Sequence, residues 1–255
     1  MAGSDAKPDD AALQEYFSTE QGRAELDAYF RTPAGAKALK KALIDEVHGR
    51  QPALGVAVKT DADVLARALF ERPPRRGVAF VWDLVRLSWE SDAFFALLLY
   101  RIRVRLMVAG VPLIPQMLHH LCMSISQVCI GRHVILQPGA VLLHGQVVID
   151  GRIEIGSYAT IAPWVTLGRN GPALEGPTIG THALIGTGAK LLGPIKIGDH
   201  VKVGANAVVL SDVESYATVA GIPAKLVRNR KDDPEQVEMR EAIRRAFAEE
   251  AAKKK

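Results

Sequence analysis

The chain has 255 residues, 48% hydrophobic and 24% charged, a balance that fits a folded globular protein and excludes a disordered or fibrous one. Its net charge is +4, but residues 225–255 carry 10 basic against 7 acidic side chains, so the surplus belongs to the tail. No basic face with interleaved aromatics points to nucleic acid.

Two cysteines, Cys122 and Cys129, make neither a disulfide framework nor a metal cluster and read as reduced intracellular thiols. The N-terminus lacks the charged-then-apolar order of a signal peptide. The most apolar run, Ala93 to Tyr100, is cut off by Arg101, Arg103 and Arg105, too early to span a bilayer. The expectation is a cytoplasmic protein without stable membrane insertion.

Residues 10–123 read as helical. Leu13, Tyr16 and Phe17, then Leu26, Tyr29 and Phe30, follow helical spacing, and Thr32-Pro33 opens a helix over 33–48. Asp61 to Phe70 makes a third helix, closed by Pro73-Pro74, and two more are expected at 77–90 and 92–109. The 92–109 helix is apolar over most of its surface, which calls for burial against partner helices or another subunit. Its arginines fall on alternate positions and not on one face, so a membrane-surface role is the weaker reading.

From Ile130 the period changes to six. Leu143, Ile149, Ile155, Ile161 and Leu167, then Ile179, Ile185, Leu191, Ile197, Val203 and Val209 mark one series. A small or branched apolar residue follows all but Leu167 of these after four positions, as at Val147, Ile153, Ala159 and Val165. Ile130 and Leu136 precede the series one residue out of phase. Such hexapeptide repeats build a parallel β-helix in which three hexads make one coil and coils stack at about 4.8 Å. Fifteen of the 22 glycines lie between Gly131 and Gly221, a stretch without Phe, as a narrow core and tight turns require. Twelve residues, 167–178, stand where six would do, so a loop leaves the solenoid there, and such loops concentrate function. The tail from Pro234 carries Met239, Ile243, Ala246 and Phe247 on one stripe and reads as a docking helix.

The expected fold is therefore α+β: an α-helical N-terminal and oligomerisation domain over 1–123, a left-handed parallel β-helix over 124–228, and a charged C-terminal helix over 229–255. Within it, the run from Ala159 to Gly168, Ile185-Gly186-Thr187-Gly188-Ala189-Lys190, Val203-Gly204-Ala205-Asn206 and Ala220-Gly221-Ile222-Pro223-Ala224-Lys225 resemble the hexapeptide-repeat acyltransferases, most closely serine acetyltransferases. Leu98-Leu99-Tyr100-Arg101 is similar to the end of that family's helical part. The resemblance implies acyl transfer from acetyl-CoA, as co-substrate, to a small hydroxyl acceptor, with a histidine as general base, in a homotrimer or a dimer of trimers.

The run Pro138-Gly139-Ala140-Val141-Leu142-Leu143-His144-Gly145 matches the family's catalytic segment and places His144 on the base position. The spacing agrees, since a residue after an inward Leu143 points out of the coil near a turn. Four features of the family differ. Cys129 stands where the family has the acid that orients the histidine, Leu143 replaces the Asp before it, and Glu175-Gly176 replaces an Arg-His clamp for the acceptor's carboxylate. Gly151 takes the place of a further Glu. Serine is then a poor acceptor unless Arg152 or Arg169 replaces the clamp, and His144 lacks its acid unless Asp150 or a neighbouring subunit supplies it.

Trp164 is an outward residue suited either to wall an acceptor pocket or to fill a trimer interface. For the donor, the resemblance points to Gly186, Thr187, Gly188 and Ala189 and, one coil on, Gly204 and Ala205, with Lys190, Lys202, Lys225 and Arg228 for the phosphates. Plain coil geometry also explains the Gly-Ala turns. His182 and His200, 18 residues apart, should stack on adjacent coils as surface residues, and without a third ligand in reach no metal is expected. A different class of reading is a catalytically impaired hexapeptide-repeat protein that binds a ligand or scaffolds a partner.

Overall fold

The computed structural model describes residues 19–171, 174–231 and 233. The expected C-terminal helix lies outside the described residues. The chain divides into two units, 1–46 and 47–255. In the first, α1 (Glu20–Arg31) is followed by α2 (Pro33–Gly49), which runs across the boundary. The Thr32 hydroxyl accepts from the Gly35 amide at 3.0 Å, the N-cap that Thr32-Pro33 announces.

The second unit contains α3 (Leu54–Phe70), α4 (Val78–Glu90), α5 (Asp92–Val108) and α6 (Ile114–Ser126). Helix α3 begins seven residues before the expected Asp61, directly after Pro52-Ala53. Helix α5 starts on Ser91, whose hydroxyl accepts from the Phe94 amide at 3.1 Å. Among the described residues no helix is long and apolar enough to cross a membrane.

Fifteen strands follow, β1 (Cys129–Ile130) to β15 (Lys225–Asn229), and wind into a left-handed parallel β-helix. Sheet A stacks β1, β4 (Val148–Asp150), β7 (Thr166–Gly168), β10 (Lys190–Leu192) and β13 (Val208–Val209). Sheet B stacks β2 (Val134–Leu136), β5 (Arg152–Ile155), β8 (Glu175–Ile179) and β11 (Lys196–Ile197). Sheet C stacks β3 (Val141–Leu142), β6 (Thr160–Ile161), β9 (Leu184–Ile185), β12 (Lys202–Val203) and β14 (Ala217–Ala220), and β15 closes it antiparallel. Ile149, Ile155, Ile161, Leu167, Ile185 and Leu191 are wholly buried in a core of aliphatic side chains.

Two register details matter. Leu143, expected inside, is 48% exposed, and Leu142 fills the core in its place at 4%. Ile130, Leu136 and Leu142 therefore keep one phase, and the single extra residue falls in the following turn, so Cys129 pairs with Val148, nineteen residues on. The longer insertion is six residues: Thr166 pairs with Lys190, twenty-four residues on, and the excess leaves the coil between β7 and β8.

Of the arginines of the 92–109 helix, Arg105 donates to the Pro52 carbonyl, whereas Arg101 and Arg103 are explained by the first coil. No coil precedes it, so its edge carbonyls need donors from elsewhere. The Tyr100 hydroxyl donates to the Val134 carbonyl at 2.6 Å, and Gln51 Nε2 reaches the same oxygen at 2.7 Å. Arg103 Nη1 donates to the Ile130 carbonyl at 2.7 Å, and Arg101 to those of Leu136 and Gln137. Arg101 is buried in an ion pair with Asp61 at 3.1 Å, and the Asp61 carboxylate accepts from the Gly139 amide at 2.7 Å. Helix α5 packs within its own chain as the polar lid of the solenoid, with Arg101 and Arg103 buried against the first coil.

Candidate active site

Each coil turns three corners. At the corner from sheet C to sheet A the successive turns contain His144 to Gln146, then Pro163-Trp164, Thr187-Gly188 and Ala205-Asn206, and Ile222-Pro223 next turns the chain from β14 back into β15 of sheet C. Gln146, Trp164, Gly188 and Asn206 all have positive φ, and one amide per turn bonds the turn before it: Trp164 to Gln146 O at 2.9 Å, Gly188 to Pro163 O at 3.0 Å, Asn206 to Thr187 O at 2.8 Å. His144 thus stands, exposed, at the foot of a stack of small turns that includes the residues expected to hold the donor.

The turn that carries His144 is fixed from the helical side. A Cβ on the buried Gly145 would lie 1.9 Å from the Ser126 carbonyl, so only glycine lets the chain pass under the end of α6. The same carbonyl accepts from the Gln146 amide at 3.0 Å. That Cβ would also lie 2.8 Å from Asp92 Oδ2, which places the carboxylate at the start of α5 beside the residue that follows His144. In the sequence, Ser91-Asp92 shows only the signal of a helix start.

The sequence candidates divide between two corners. Trp164 shares the His144 corner and is 57% exposed. Lys190 begins β10 beside it, with Nζ donating to the Trp164 carbonyl at 2.6 Å and the Thr166 hydroxyl at 3.1 Å. Asp150, Arg152 and Arg169 lie at the corner from sheet A to sheet B, a strand's length from His144, on the order of 15 Å at the extended rise. There Asp150 and Arg169 pair at 3.6 Å, and the excursion folds back so that the Arg152 amide donates to the Leu174 carbonyl at 2.7 Å. Glu175, exposed, opens β8 on the same side.

Cys129 sits on β1 with its amide bonded to the Val147 carbonyl at 2.9 Å. Burial, and then the nearby Asp150 charge, push its thiol above the ordinary value, so it is neutral at neutral pH and offers no negative charge to a histidine. Of the donor candidates, Lys202 is exposed on sheet C between Leu184 and Thr218, Lys225 begins β15, and Arg228 is paired with Asp233 at 2.9 Å. Gly186 is required by stacking alone, since a Cβ there would lie 2.7 Å from the Val203 carbonyl, and Gly204 by Ala220 at 2.9 Å. Thr187, Ala189 and Ala205 complete these turns.

At the corner from sheet B to sheet C, His182 and His200 stack as their spacing implies, with centroids 5.0 Å apart and planes at 5°. Tyr158 extends the stack at 5.1 Å on one side and Tyr216 at 4.8 Å on the other. Among the described residues no group of three or more His, Cys, Asp or Glu is placed to hold a metal.

Comparison with known proteins agrees with this architecture. Residues 176–211 match the family model of the bacterial transferase hexapeptide, six repeats. A serine acetyltransferase of Helicobacter pylori is 37% identical over 166 residues, which cover 64% of this chain and 94% of that protein. One from Synechococcus elongatus is likewise 37% identical over 166 residues, 63% of this chain but 65% of the relative's length. A serine acetyltransferase solved in complex with CoA superposes with a TM-score of 0.58 at 26% identity, over 79% of this chain and 81% of that one.

Proposed function

The chain belongs to the serine acetyltransferase family of hexapeptide-repeat proteins, and from that premise we propose that it is an acetyl-CoA-dependent O-acetyltransferase with His144 as general base. One observation carries the assignment: the exposed imidazole and the stack of small turns suited to a pantetheine arm share one corner of the solenoid. The relative solved with CoA supports the same donor. His144 takes the acceptor hydroxyl's proton as its oxygen attacks the thioester carbonyl. The C–S bond then breaks, and the proton passes to the departing CoA sulfur. Asp92, beside Gly145, is the carboxylate we assign to hold the imidazole and favour its protonated form in the transition state. Asp150 stands too far along β4 for that role.

The acceptor we favour is a small hydroxyl compound without a carboxylate. Glu175 would repel a carboxylate, Leu143 and Gly151 offer it nothing, and Arg169 is already paired with Asp150. The working assembly we propose is a homotrimer, alone or paired through its helices. Arg169 and Leu174 stand a strand away from their own His144, so this side of the coil serves the corner of a neighbouring copy. The compartment we propose is the cytoplasm, which acetyl-CoA as donor supports.

A free-thiol release assay with acetyl-CoA and a panel of hydroxyl acceptors tests the reading. The expected outcome is release with carboxylate-free acceptors above that with serine, and a loss of about 10²–10⁴-fold on His144→Ala with the melting temperature unchanged. Activity that survives His144→Ala sinks the base assignment, and serine as the best acceptor overturns only the acceptor assignment. Asp92→Asn should displace the pH–rate profile, whereas a merely structural Asp92 would leave the profile in place.

A further inference from the structure

A cavity of about 780 Å³ lies on the other side of sheet C from the His144 corner, between α3, α4, the segment joining them and the solenoid. Its charged lining is Lys59, Arg67, Arg75 and Arg76 against the single carboxylate of Asp63, and Phe80 and Tyr158 supply aromatic wall. Asp63 is taken by Arg67 at 2.8 Å. The side chains of Lys59 and Arg76 make no hydrogen bond or ion pair with any described residue, so their charges are open to a ligand.

Arg75 is held in place for the same purpose. Asp83, wholly buried on α4, accepts from Arg75 Nη2 at 2.8 Å, from its Nε at 3.1 Å and from its backbone amide at 2.6 Å, leaving Nη1 unbonded. A buried carboxylate is a poor way to add stability, because its desolvation offsets much of the ionic attraction. It is an effective way to fix a guanidinium, and a fixed guanidinium loses less freedom when it binds an oxyanion.

We propose that this cavity is a second ligand site, for a small phosphomonoester that carries a ring, a nucleotide or a sugar phosphate. Arg75, Arg76 and Lys59 take the phosphate, and the ring lies against Phe80 and the exposed edge of Tyr158. Both faces of Tyr158 are already covered, by His182 and by Gly139, where a Cβ would lie 2.7 Å from the ring. The site is distinct from the donor corner, yet only the two residues of β6 separate the turn of Tyr158 from that of Trp164, so occupancy bears on the second coil of the catalytic corner.

Calorimetry on the full chain with AMP, glucose 6-phosphate and inorganic phosphate tests this without reference to acetyl transfer. One of the two ring-bearing compounds should bind one per chain and at least about tenfold more tightly than inorganic phosphate, and the tighter of them identifies the ring. Arg76→Ala and Lys59→Ala, which break no internal pair, should each weaken binding at least about tenfold, and Lys202→Ala should not change it. Absence of binding by both compounds, binding indifferent to Arg76→Ala and Lys59→Ala, or loss in Lys202→Ala instead would overturn the proposal.

Discussion

Two corners of one solenoid use the same backbone and opposite side chains. At the corner from sheet B to sheet C the left-handed positions hold Tyr158, His182, His200 and Tyr216, whose rings stack at 4.8–5.1 Å, the pitch of the coils themselves. At the corner from sheet C to sheet A they hold Gln146, Trp164, Gly188 and Asn206, which are too unequal to stack. One corner is closed by its own aromatic column and the other remains open beside His144. Position in the coil sets the backbone; residue size decides whether the turns of a corner stack on one another or leave an open trough.

The largest effect is expected where the helical lid grips the first coil at the closed corner. Asp61→Ala would leave Arg101 charged and buried and the Gly139 amide without its acceptor, at a cost of about 3–5 kcal/mol. For a unit of this size that is a fall in melting temperature of roughly 10 °C, read by calorimetry. An unchanged melting temperature would mean that the first coil holds its shape without the lid.

At the open corner, Gly188→Leu tests whether smallness is functional. Its side chain would enter the space where Asn206 Oδ1 now lies, 2.0 Å from a Cβ at that position, and it would narrow the trough above Trp164. The KM for acetyl-CoA should rise about tenfold or more, with a stability loss on the order of 1 kcal/mol from the positive φ. An unchanged KM with lost stability would reduce Gly188 to coil geometry.

Asp83 gives the pH dependence. Hydrogen bonds from Arg75, and then from Arg72, hold its carboxyl well below the usual carboxylate range. The folded state therefore favours the ionised form, so this stabilisation is complete above about pH 4, the unfolded value, and drains away as pH falls below it. Denaturation midpoints measured from pH 5 to pH 2 should fall less steeply in Asp83→Asn than in the parent, from a lower starting stability.

The open and closed corners were not equally legible in the sequence. Hexads every six residues fixed the coil and its buried series from Ile149 onward, and the 18-residue interval between His182 and His200 exposed their stacking. Tyr158 and Tyr216 stayed hidden because they lie 24 and 16 residues from those histidines, the first interval lengthened by the excursion and the second shortened after β12. The phase break at Leu142 was visible as two series out of step, but which leucine turned inward depended on the turn pinned under Ser126. The partners of Arg101 and Arg103 could not be read from the sequence, because they are backbone carbonyls, which carry no sequence signal. Asp92 was masked in the same way, by a helix start that accounts for it locally.

The smallest effect is the most direct comparison of the two corners. His182→Ala removes a central ring and should cost about 1 kcal/mol, the order of a stacked pair beyond its area. His182 sits at φ +53°, where alanine is strained, so His182→Gly separates the two contributions: it relieves the backbone and still breaks the column. If stacking holds that corner, both variants lose stability, by equilibrium denaturation, and the glycine loses less. Neither should alter the KM for acetyl-CoA, because the corner proposed for the donor lies one face away. Equal stability in the parent and His182→Gly would make the column a consequence of coil pitch, with turn hydrogen bonds alone, such as His182 N to Ser157 O at 3.0 Å, holding the corner.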